Sequence, residues 1–71
     1  MIKIKLDEVL KEKNVSLTEL SNAVDVTIAN LSILKTGKAK AVRFSTLEAI
    51  CDYLDCQPGD IIVNEKKYYH Y

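Results

Sequence analysis

The chain has a single histidine, His70 near its C-terminal end, no glycine-rich loop, and no serine or cysteine with a histidine to activate it. A nucleophile needs a base within hydrogen-bond reach, and a phosphate cradle needs a run of free backbone amides, so neither chemistry has its parts here. Asp52 and Asp55 fall on neighbouring faces of one helix, the usual arrangement of a solvated acidic surface. No catalytic residue is expected. Cysteine is also scarce. Cys51 and Cys56 stand five apart, which is neither metal-ligand spacing nor a disulfide framework, and on one helix they would point to different faces. Two thiols and a terminal histidine are too few for a zinc site, so no metal and no cofactor is expected. No apolar run is long enough to cross a bilayer and no secretory signal follows Met1, so the expected location is the cytoplasm, away from the membrane. With 71 residues, 48% of them hydrophobic, the chain has material for one small domain around one core.

Acidic residues are missing from one further place, and that absence points to function. Between Val26 and Leu47 stand Lys35, Lys38, Lys40 and Arg43 with no Asp or Glu; from Glu48 to Glu65 stand Glu48, Asp52, Asp55, Asp60 and Glu65 with no Lys or Arg. The formal net charge of zero therefore conceals a dipolar molecule, able to turn a cationic face towards a polyanion.

The hydrophobic spacing predicts five helices, at about 6–13, 17–24, 28–35, 46–55 and 58–61, in a domain of residues 1–65 followed by a tail, 66–71. Leu6, Val9 and Leu10 give the first an apolar stripe, and Asn14 suits its left-handed end. Ser16-Leu17-Thr18-Glu19 reads as a capping box opening the second, whose inward face is Leu17, Leu20 and Val24. Asp25 falls at a tight turn, and Thr27 caps a third helix anchored by Leu31 and Leu34 and closed by Gly37. Ser45-Thr46-Leu47-Glu48 reads as a second capping box, opening a fourth helix. Pro58 suits the first position of a short closing helix. Ile2 and Ile4 could face the core as a strand, pairing with Ile61 to Val63. Two short helices across a tight turn, followed by a basic loop, form a helix-turn-helix, the unit that sets its second helix in the DNA major groove.

Here the chain resembles the Cro and phage-repressor type of helix-turn-helix regulators, the XRE family. The likeness is carried by Ser16 to Leu20, Val24, Thr27, Leu31, Leu34, the segment Lys35-Thr36-Gly37-Lys38, then Lys40, Arg43, Phe44, Leu47 and the closing Gln57-Pro58-Gly59-Asp60-Ile61. The resemblance covers about Leu6 to Val63. It implies an all-α, compact five-helix domain that binds double-stranded DNA as a homodimer, the third helix in the major groove and the 38–44 loop along the phosphates. Carried onto this sequence, Lys38, Lys40 and Arg43 become phosphate contacts, joined by Ser16 and Thr27 at helix starts.

The outer face of the third helix offers Ile28, Ala29, Asn30, Ser32 and Ile33. Branched apolar side chains meet thymine methyls but cannot make the paired hydrogen bonds that separate guanine from adenine, which leaves Asn30 and Ser32 as readers. That apolar character keeps a second reading open: a protein-interaction module, such as an antirepressor or an antitoxin, with Ile28 and Ile33 as the anchor.

Overall fold

Leu6, Val9 and Leu10, spaced i, i+3 and i+4, wind the first helix, α1 (Leu6–Lys13), and all three are buried. Asp7 and Glu8 occupy its first turn and Lys11 and Lys13 its last, each complementing the helix dipole. Four more helices follow in the computed structural model, which describes residues 1–66: α2 (Leu17–Val24), α3 (Ile28–Lys35), α4 (Phe44–Leu54) and α5 (Pro58–Ile61). The expected tail, 66–71, lies from 67 onward outside the described residues. Strand β1 (Ile2–Ile4) pairs antiparallel with β2 (Ile62–Asn64), Ile2 opposite Asn64 and Ile4 opposite Ile62. The fold class is the expected one: mostly helical, five helices with short strands at the two ends.

One core holds the helices together. Leu20, Leu31, Leu34, Ile50, Cys51, Leu54 and Ile61 join the three α1 residues in it. The second helix packs on both α3 and α4, which fixes the helix-turn-helix to the rest of the molecule.

Four helices stop in the same way. A backbone N–H just past each helix end, two residues on for α1, α2 and α4 and three for α3, reaches back to a carbonyl in the last turn: Val15 to Leu10 (2.9 Å), Val26 to Ser21 (3.3 Å), Lys38 to Ile33 (3.1 Å) and Cys56 to Cys51 (3.0 Å). This closure needs a left-handed residue, supplied by Asn14, Asp25, Gly37 and Asp55.

Three expectations are corrected. The fourth helix starts at Phe44, two residues early; Arg43 is its N-cap and makes no side-chain capping bond, and Ser45 lies inside the first turn. Half-buried Val42 packs against the core, and Leu47 N–H already bonds Arg43 O at 3.0 Å, so the helix winds before the Ser45 hydroxyl could cap it. The strand residue Ile2 is 63% exposed, leaving Ile4 as the one that packs inward, and Ile61 closes α5 instead of opening the strand. Finally, Cys56 lies past the end of α4 and folds back towards Cys51 rather than pointing away on the same helix.

Candidate nucleic-acid interface

The turn between α2 and α3 is fixed by two hydroxyls and one carbonyl. Thr27 caps α3, its Oγ1 accepting from Asn30 N–H at 3.2 Å. Ser21 carries the turn on the other side: its carbonyl accepts from both Asp25 and Val26, and its hydroxyl donates to Val26 O at 2.5 Å. Sequence reasoning missed Ser21, which looks like an ordinary polar helix residue until the turn closes over it.

Ser16 caps α2 by accepting from Glu19 N–H at 3.0 Å, half of the expected box. The other half is absent among the described bonds. Glu19 instead accepts from the Tyr53 hydroxyl, tying α2 to α4, and that bond raises the Tyr53 pKa above its ordinary value.

Leu31 and Leu34 turn into the core, so α3 presents Ile28, Ala29, Asn30 and Ile33 as exposed residues and Ser32 as half-buried. At roughly 100° per residue, Ala29, Ile33 and Thr36 form the outermost strip, with Ser32 at its edge. The same step sets Ile28 and Ile33 about 140° apart, on opposite flanks. Thr36 is the second residue missed. It is exposed, and its hydroxyl donates back to Ser32 O and Ile33 O, at 3.0 and 3.2 Å, keeping the end of the helix wound.

The loop after α3 alternates its side chains between core and water. Ala39 and Val42 pack against the core, while Lys38, Lys40 and Arg43 are exposed. Among the described residues no carboxylate lies within ion-pairing distance of these three, whereas Lys35 pairs with Asp7 on α1 at 3.6 Å. Loop and helix face each other across an open groove, with Thr27, Asn30 and Ile33 on one wall and Lys40 and Arg43 on the other. Asp25 also lines it, the one carboxylate to do so among the described residues.

A concave channel between an exposed helix and a row of unpaired cations suits a polyanionic edge: phosphates meet the cations while the helix projects past them. Of the sequence-nominated residues, Thr27, Asn30, Ile33, Lys40 and Arg43 line this groove, whereas Ala29, Ser32 and Lys38 do not. Ile28 occupies the far flank of α3, and Ser16 lines a separate depression with Asp7 and Lys35.

Residues 5–67 match the family model of the Cro/C1-type HTH DNA-binding domain. A curated relative, the uncharacterized HTH-type transcriptional regulator YozG of Bacillus subtilis (strain 168), is 63% identical over 59 residues, 83% of this chain and 70% of the relative.

Proposed function

The chain belongs to the Cro/C1-type helix-turn-helix DNA-binding family, a family of transcriptional regulators, and on that premise we propose that it is a repressor reading a two-fold symmetric site as a dimer. The third helix, α3, enters the major groove. Asn30 and Ser32 supply hydrogen bonds to base edges, and Ala29, Ile28 and Ile33 meet thymine methyls. Lys38, Lys40 and Arg43 hold the phosphate backbone, with Ser16 and Thr27 contributing from helix starts. The observation that carries this reading is the run of three exposed cations with no carboxylate partner among the described residues, two of which, Lys40 and Arg43, line a groove together with α3.

Phe44, 88% exposed and next to Arg43, is the residue on which a dimer contact is best built. Phe44→Ala should then bind a half-site as a monomer.

Salt dependence tests the reading. With roughly six phosphates neutralised by a dimer, affinity falls about a thousandfold between 50 and 200 mM salt. Arg43→Ala should weaken binding to every duplex and flatten the salt slope, whereas Asn30→Ala should change which sequences are preferred. Salt-independent binding, or identical losses on all sequences from both variants, would overturn the assignment.

An apolar protein anchor on α3 is disfavoured by geometry. Ile28 and Ile33, each 47% exposed, stand on opposite flanks and form no single patch.

A further inference from the structure

The DNA reading leaves one pair of chemistry-bearing side chains unused, at the far end of α4. Cys51 is buried and Cys56 half-buried, and both are free thiols. Asp55, left-handed at φ 52°, turns the chain, and the N–H groups of Asp55 and Cys56 both donate to Cys51 O. In this closure the second residue past the helix commonly meets the last-turn residue whose carbonyl it bonds, and here the Cys56 thiol lies within hydrogen-bonding reach of the Cys51 thiol. A disulfide needs its two Cα atoms about 4.4–6.8 Å apart, and the direct backbone bond from Cys56 to Cys51, at 3.0 Å, keeps the two residues close. Both residues also line one groove with Leu47 and Pro58.

We infer that Cys51 and Cys56 are a disulfide-forming pair, closed by exchange with a small disulfide such as oxidised glutathione. Cys56 is the more accessible thiol and attacks first. Its thiolate displaces one glutathione, which leaves as thiolate and takes up the proton, giving a mixed disulfide on Cys56. Cys51 then loses its proton and attacks the Cys56 sulfur, expelling the second glutathione. The protein gives up two electrons and two protons, and one glutathione disulfide becomes two thiols.

The surroundings make this exchange slow at neutral pH. Burial, then the Cys51 thiol, then Asp60 of α5 push the Cys56 pKa up to about 11, with Lys13 of α1 pulling weakly the other way. Lys5, Glu8, Glu12 and Asp55 line the same recess and complete the charged groups around it. Thiolate is therefore a minor species near neutrality, and closure speeds up about tenfold for each pH unit over the range below that pKa. Closure would staple the end of α4 to the segment leading into α5, whose Ile61 is fully buried.

The test uses the reduced wild-type chain incubated with oxidised glutathione at pH 7, 8 and 9, quenched with acid, alkylated and weighed intact. Trypsin cleavage after Arg43 and Lys66 leaves both cysteines in one peptide. The expected product is a monomer lighter by about 2 Da that resists alkylation and forms faster at each higher pH. Cys51→Ser should stall at the mixed disulfide on Cys56. A wild-type mixed disulfide that persists, a cross-link between chains, or two thiols still alkylated at pH 9 would overturn the inference.

Discussion

Asp25 works against the molecule in three ways. Its backbone is left-handed at φ 54°, a conformation that costs an L-residue more than glycine, and its carboxylate sits at the C-terminal, electronegative end of α2. It also lines the groove that Lys40 and Arg43 line, where it would repel a phosphate. Replacing it with glycine should raise stability by roughly 0.5–1 kcal/mol in urea titration and tighten binding to all DNA sequences together. Much at this scale is legible in the sequence. Thr27, Gly37 and Asn14 announce their positions because capping and left-handed turns are local chemistry. Ser45 misleads because Val42, anchored in the core, starts the helix sooner than a hydroxyl pattern can reveal.

At the scale of elements, the helix-turn-helix depends on bonds that cross its turn. Ser21→Ala removes the hydroxyl bond to Val26 O, at a cost of about 1–2 kcal/mol, because a partly buried carbonyl loses its donor. DNA affinity should fall with it. The salt slope should stay unchanged, because no cation is lost; calorimetry and fluorescence anisotropy read the two effects separately. The bond from Tyr53 to Glu19 does the equivalent for α2 on α4, and it has a pH signature. The folded-state Tyr53 pKa is raised, chiefly by that bond, so its contribution is complete below pH 10.0 and disappears as pH rises through the higher folded value. Tyr53→Phe should remove this alkaline loss of stability in urea titrations. Glu19 was read as the second half of a capping box; only the packing of α2 on α4 shows where its carboxylate goes instead. Sequence spacing fixes which face of a helix is apolar, not which neighbour its polar side chains will find.

For the whole molecule, a small core sets a narrow stability margin. Leu20→Ala, at a fully buried position between α2 and its neighbours, should cost about 2–5 kcal/mol, enough to unfold most of a domain this size near room temperature. Acid should weaken it more gently. The hydrogen bond from Lys11, together with the charges of Lys11 and Lys35, holds the Asp7 carboxyl below its ordinary value. Its contribution is therefore complete above pH 3.8 and fades as pH falls through the lower folded value, a loss that Asp7→Asn should not show. The separation of charge along the chain, basic from Lys35 to Arg43 and acidic from Glu48 to Glu65, is visible in the sequence. Its consequence for binding depends on the fold, which pairs Lys35 with Asp7 and leaves Lys38 exposed and Lys40 and Arg43 exposed along a groove.

The central claim, that this scaffold reads DNA sequence as a dimer, is tested most directly by selecting bound molecules from a pool of randomised duplexes at near-physiological salt. A dimeric reader should enrich a two-fold symmetric site with half-sites about one helical turn apart. Binding confined to low salt, with no sequence enriched, would contradict it.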